Sequence, residues 1–347
     1  MRRLMPAAIV LGTSTFTMSA LPGTPSIQNA IPMPFFGTTP FAAPGLGLIA
    51  SLIMFGFGMW WLRRAEHVAR GAGEGYGEAA AATAAAVVQD EALRERATVA
   101  REFDPAELGH GGHAPAELPP LLAALPLLVV VAVNLSMSLL VLPALDLEFL
   151  AEPRWGGTTL SAVGGVWSVV TALACAILAV VLINRKRLPS LRQTMDAGAN
   201  ASVLPAVSVA SLVGFGAVVA AMPAFEVVRD AVLGIGGGPL VSLAVATNVL
   251  AALTGSASGG LTIALDALGP TFLARAGEIG MDPALLHRVA VIGSGTLDSL
   301  PHNGAVVTLL AVCGSTHKQS YFDIVMVGIA SALLALVAVS VLASAFG

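Results

Sequence analysis

Asp298, Ser299, His302 and Asn303 fall within one short stretch, Gly293-Ser-Gly-Thr-Leu-Asp-Ser-Leu-Pro-His-Asn-Gly304, set between apolar flanks. An ionisable group in such surroundings is costly and marks a functional site by default. His302 lies four residues on, and a histidine beside a carboxylate suits proton transfer. The plainer role for Asp298 is to cap the helix that follows. A second stretch, Thr254-Gly-Ser-Ala-Ser-Gly-Gly260, and a third, Thr17-Met-Ser-Ala-Leu-Pro-Gly-Thr-Pro25, again combine hydroxyls with glycine or proline. Interrupted helices leave N–H groups free to hold an anion, and glycine lets backbone and ligand approach closely. The candidate substrate-binding residues are therefore Thr17, Ser19, Thr24, Ser256, Ser258, Gly259, Thr296, Ser299, His302 and Asn303. Asp298 and Asp266, the two of the twenty-one acidic residues that fall within apolar membrane segments, are the candidate proton-coupling groups. For each hydroxyl the plainer role is a bond back to a carbonyl of its own helix.

The elements that must carry these residues are membrane helices. Of the 347 residues, 56% are hydrophobic and 11% charged, against roughly 25% charged in soluble domains. Apolar runs at 44–62, 121–145, 158–183, 201–222 and 321–346 are each long enough to cross ~30 Å of hydrocarbon as a helix. They are continuous rather than alternating, which excludes a barrel. The expected fold class is all-α integral membrane. Cys175 and Cys313 have no paired spacing, scattered basic residues give nucleic acid no footprint, and His110 and His113 lack further ligands, so no metal or cofactor is expected. With positive loops retained in the cytoplasm, thirteen of the seventeen basic residues lie inside and Arg154, Arg229, Arg275 and Arg288 outside. This implies a multi-pass protein of the cell inner membrane.

Two segments do not read as ordinary spans. Residues 239–273 contain two apolar arms of 13 residues, 241–253 and 261–273, around the Thr254–Gly260 hinge, and form a re-entrant hairpin. Residues 287–314 form a helix broken at mid-depth; unwound backbone persists there only beside protein or a wet cavity. The span 321–346 closes the chain. Residues 63–118 are a charged cytoplasmic linker in which 78–102 suits a helix.

Self-similarity joins these pieces. Thr17–Pro25 aligns without a gap on Thr296–Gly304 at an offset of 279 residues, with Thr17, Leu21 and Pro22 recurring as Thr296, Leu300 and Pro301. The same offset lays 44–62 on 323–341. Basic residues place the two copies in opposite orientation, because Arg63 and Arg64 end the first span and Lys318 begins the second. Residues 1–62 are then the end of a first repeat and 119–347 a second. Inverted copies with broken helices are the layout of many secondary transporters, with the site at the repeat interface near the midplane. The second copy's hinge precedes Thr296 by 42 residues, so the first copy's hinge is expected about 25 residues before Met1, in an amino-terminally longer protein.

Thr254–Gly260, His287-Arg288, Gly295–Gly304 and the following Ala305–Tyr321 resemble the gluconate:proton symporter (GntP) family, most densely over 195–347 and again over 4–62. The resemblance implies membership of the ion transporter superfamily, proton-coupled uptake of gluconate or a related hydroxy acid, and an elevator-like fold with two hairpins and two broken helices. The expected partners are the bilayer, a small organic anion and a proton; self-association into a homo-oligomer stays open. The rival readings are an intramembrane enzyme built on Ser, His and Asp of 294–302, a channel, and a truncated chain that is inactive or only scaffolds a partner. Crowding of Asp298, Ser299 and His302 on one segment gives no reason to expect a triad. Nothing in the chain reads as a carbonyl filter or ring of charge.

Overall fold

A computed structural model describes residues 2–72, 74, 120–185, 188 and 190–346. The 78–102 segment and the His110/His113 pair lie outside them. No strand occurs among the described residues, and four helices are long and apolar enough to cross a membrane: Pro44–Gly71, Ala124–Ala144, Ala162–Asn184 and His317–Ala345. The chain is an all-α membrane protein.

The amino-terminal part begins with α1 (Met5–Thr13), followed by a π-helical turn over Phe16–Ala20, two short helices α2 (Ile27–Ala30) and α3 (Pro32–Phe36), and the long α4 (Pro44–Gly71). After the undescribed stretch come α5 (Pro120–Ser136), extended by a π turn over Met137–Val141, then α6 (Leu160–Asn184), α7 (Leu191–Ala220) and α8 (Pro223–Leu233). The hairpin follows as α9 (Gly238–Thr254) and α10 (Ala257–Glu278). The broken helix is α11 (Pro283–Thr296) and α12 (Gly304–Val312), and α13 runs from His317 to Phe346 through a π turn at Val325–Ala330.

The hairpin turns on Gly255, whose φ of 64° ends α9 in the left-handed region that glycine adopts without strain. Ser256 then caps α10 by accepting from Gly259 N–H at 3.2 Å. Its arms are longer than the apolar runs: α10 continues through Pro270 to Glu278, about 33 Å at 1.5 Å per residue. The polar tail Arg275–Glu278 still winds as helix because an apolar run measures lipid contact, not helix length.

Lipid gives apolar side chains no reason to leave it, so association rests on close packing of small residues. Alanines on α4 and α13, Ala50 with Ala332, Ala335 and Ala343, share one core with Leu243, Leu261, Leu265 and Ile292 of the hairpin and broken helix. Helices α4 and α13 run antiparallel: Trp61, near the cytoplasmic end expected for α4, donates its indole N–H to Asp323 at the start of α13 at 2.9 Å. The end of α4 thus meets the start of α13. Asp323 is 5% exposed and also 4.0 Å from Arg3 Nε. The expectation that only Asp266 and Asp298 are acidic groups within the apolar segments is corrected here: Asp323 is a third, and its partners come from 262 and 320 residues away in sequence.

Candidate functional site

The two breaks meet. Ser19, in the π turn after α1, packs on Gly295, where an added Cβ would lie 3.0 Å from Ser19 Cβ. Ser299 packs on Gly328 of α13, and its carbonyl accepts from the Tyr321 hydroxyl at 3.2 Å. Beside the second break lies a cleft of about 50 Å³ lined by Thr13 and Ser14 at the end of α1, by Asp298, Ser299 and Asn303, and otherwise by apolar side chains of α1 and α12.

One knot ties the hairpin tip to the break. Asp298 Oδ1 accepts from Ala257 N–H at 2.8 Å, the first helical residue of α10, where a carboxylate also meets the positive end of the helix. Asn303 Nδ2 donates to Asp298 Oδ1 at 3.0 Å, to the Asp298 carbonyl, and to Gly255 O at 2.8 Å. Its Oδ1 accepts from Ala305 N–H at 2.7 Å and caps α12. His302 reaches back to the hairpin, Nε2 to Ala252 O at 3.0 Å. The Ser256 and Ser258 hydroxyls lie 3.3 Å apart at the same tip, and Gly259 gives its N–H to Ser256.

Of the expected residues, then, the structure brings together Ser256, Ser258, Gly259, Asp298, Ser299, His302 and Asn303, with Ser19 at the edge of the same junction. Three hydroxyls are taken up by their own helices: Thr17 donates to Gly12 O at 3.0 Å, Ser19 to Thr15 O at 3.0 Å and Thr296 to Ile292 O at 2.8 Å. Thr24 offers its carbonyl to Asn29 Nδ2 at 2.9 Å. Asp266 sits nine residues beyond Ala257 on α10, about 13 Å along the helix, and its Oδ2 is buried with no hydrogen-bond partner among the described residues. Thr13 and Ser14 were not expected; only the interruption after α1 marks them, since their types and spacing match nothing in the second copy. Asn134 Nδ2, on α5, lies 3.4 Å from Gly23 O in the stretch after the Phe16–Ala20 turn.

Asn303 is the residue with most partners in this knot, and its removal has a definite expected result. Asn303→Ala deletes the α12 cap, worth about 1 kcal/mol, and leaves Asp298 and Gly255 oxygens short of a donor at about 1–3 kcal/mol more. Thermal unfolding in detergent should show the loss; a melting temperature within a degree of the parent would count against the knot.

Arg288, counted by sequence among the outside basic residues, turns out to be an internal group. It is fully buried, as is His287. Arg288 Nε and Nη2 donate to Ala42 O at 3.1 and 2.7 Å, Nη2 to Pro40 O at 3.4 Å, and Nη1 to Ala20 O at 3.2 Å and Asn29 Oδ1 at 3.5 Å. His287 Nε2 is 3.2 Å from the same Asn29 Oδ1 and Nδ1 is 2.6 Å from Thr38 Oγ1. Loop carbonyls from another part of the chain satisfy the guanidinium, a role that its place in the sequence does not mark.

An all-helical membrane protein with a polar junction of interrupted helices is thus what sequence and geometry define. Among curated proteins, the chain is 38% identical over 329 residues to the uncharacterized transporter YxjC of Bacillus subtilis (strain 168). The match covers 93% of the chain, which spans 66% of that relative's length. No protein-family profile matches, and no solved structure does.

Proposed function

We propose that this protein is a multi-pass secondary transporter of the cell inner membrane that takes up a small organic anion together with a proton by alternating access. The observation that carries the reading is that two interrupted helices meet beside one small cleft that holds Thr13, Ser14, Asp298, Ser299 and Asn303; oppositely running copies, as the sequence suggests, would place such a cleft at their interface. That is where such carriers bind substrate. The similarity to a protein named as a transporter supports the same class. The resemblance of Thr254–Gly260 and Gly295–Gly304 to gluconate:proton symporters favours gluconate or a related hydroxy-carboxylate.

In this reading Asn303, Ser299 and the hairpin tip around Ser256 and Ser258 offer hydroxyl and amide groups to the anion, with Asp298 as the proton-coupling group. The cleft as it stands holds only a few waters' worth of space. A hydroxy acid therefore needs the walls of the cleft, α1 on one side and residues 298–309 on the other, to move apart, which is a motion that alternating access supplies. The enzyme reading is less well supported: His302 Nε2 is bonded to Ala252 O, and Asp298 to Ala257 and Asn303, so these groups do not form a Ser–His–Asp relay.

Proteoliposomes loaded with unlabelled gluconate, glycerate or 3-hydroxybutyrate test the proposal. At least one labelled acid should enter by counterflow, and only into vesicles loaded with a recognised acid. Equal entry into loaded and empty vesicles would indicate a channel, and the absence of entry for every hydroxy acid would overturn the substrate class.

A further inference from the structure

The His287-Arg288 pair has no part in the proposed chemistry, yet Arg288 is the largest fully buried side chain among the described residues. Its acceptors, Ala20, Asn29, Pro40 and Ala42, all come from the first copy's segment between the break and α4. That segment holds only the short helices α2 and α3, so several of its carbonyls have no helical ladder to join. A buried carbonyl must find a donor. The planar guanidinium presents five N–H groups in a fixed fork and serves several of them at once.

Two further features converge on the same points. Ala43, next to the doubly bonded Ala42 carbonyl, is the one non-glycine residue with positive φ among the described residues, at 42°, a conformation that must be held from outside. Ala20, the acceptor at the other end of the fork, directly follows Ser19, which touches Gly295 across the cleft junction. The side chain thus grips the first copy both where its break ends and where α4 begins.

We infer that Arg288 is a positioning residue that sets the register of the first copy's break against the second copy's, and so the shape of the cleft between them. His287 and Asn29 buttress it: the amide Oδ1 receives both the ring and the guanidinium, while Nδ2 donates to Thr24 O and Pro40 O at 2.9 and 3.0 Å. Lysine cannot replace it, because a single ammonium on a flexible stem does not reach Ala20 and Ala42 together.

Disulfide formation between Ser19→Cys and Gly295→Cys reads the register directly and needs no substrate, so its outcome is independent of whether the protein is a carrier. The background carries Cys175→Ala and Cys313→Ala, and the whole chain is used in membranes and in detergent. With Arg288 present, mild oxidation should join the pair rapidly, since the two positions are in contact. In Arg288→Gln the rate should fall at least tenfold, and in Arg288→Lys to an intermediate value, while helix content and monodispersity stay those of the parent. Cross-linking at the parental rate in a folded Arg288→Gln protein overturns the inference. Loss of both variants from the membrane overturns it too, because Arg288 would then be a folding requirement and not a register device.

Discussion

Gly260→Ala should cost about 3 kcal/mol, the upper end of what overpacking a close contact costs, and lower the melting temperature accordingly. The Cβ it introduces would stand 2.2 Å from Ala251 N, 2.3 Å from Ala251 Cα and 2.6 Å from the Leu250 carbonyl carbon. All three are main-chain atoms, so no rotamer change relieves the clash and the two arms of the hairpin must part. Gly277, in the same helix α10, is the control. Nothing lies within 4 Å of a Cβ there, so Gly277→Ala should leave packing untouched and gain up to about 1 kcal/mol from helix propensity. Two substitutions of the same type in one helix should therefore move thermal unfolding in opposite directions. If Gly260→Ala melts with Gly277→Ala, the arms are not in contact at that point.

That contrast also indicates what was legible in the sequence. The hinge and the break were, because glycine, serine and proline interrupt long apolar runs at Thr254–Gly260 and Thr296–Gly304, and lipid makes every interruption conspicuous. Arg63, Arg64 and Lys318 at opposite ends of matched spans suggested opposite orientations for α4 and α13, but nothing in the sequence marked the two as packing partners. Which glycine faces a partner was not legible: Gly260 and Gly277 differ only in what a distant turn of helix brings beside them.

Polar side chains were harder still. Thr17, Ser19 and Thr296 have the residue types of a binding site, but a hydroxyl on a helix can always return to a carbonyl three to five residues back, and these three do. Local geometry decides that, and composition carries no record of it. Arg288 and Asp323 fail for a different reason. Their partners lie hundreds of residues away, at Ala20, Ala42, Arg3 and Trp61, so a charge that looked like a marker of the membrane surface is an internal tie. Asn303 stood out in the sequence as a candidate, but nothing there marked it as the donor that joins Gly255 to Asp298. In this fold the sequence marks where helices stop, and tertiary contact decides what the stops hold.

The proposed coupling role of Asp298 leads to the sharpest functional test. Its Oδ1 accepts from Ala257 N–H and Asn303 Nδ2, both contacts that the amide oxygen of Asp298→Asn can keep. The substitution therefore keeps both hydrogen bonds between hairpin tip and break but removes the charge and the ability to gain and lose a proton, fixing the site in the state of the protonated carboxyl. With one proton carried per anion, a gradient of one pH unit is worth 1.36 kcal/mol and drives about tenfold accumulation. Asp298→Asn should abolish that accumulation while counterflow, which needs no net proton movement, continues within about twofold of the parent. The physical reason is that the carboxyl sits at the start of α10: ionised, it holds the helix terminus; protonated, it holds it less well, so proton binding and release of the hairpin tip are one event. Asp266 is too far along α10 to act on that contact, and Asp266→Asn should leave acid-driven accumulation intact. The reverse pattern, with Asp298→Asn accumulating normally and Asp266→Asn not, would move the coupling to the buried, unpartnered Oδ2 of Asp266 and leave Asp298 as the cap of α10.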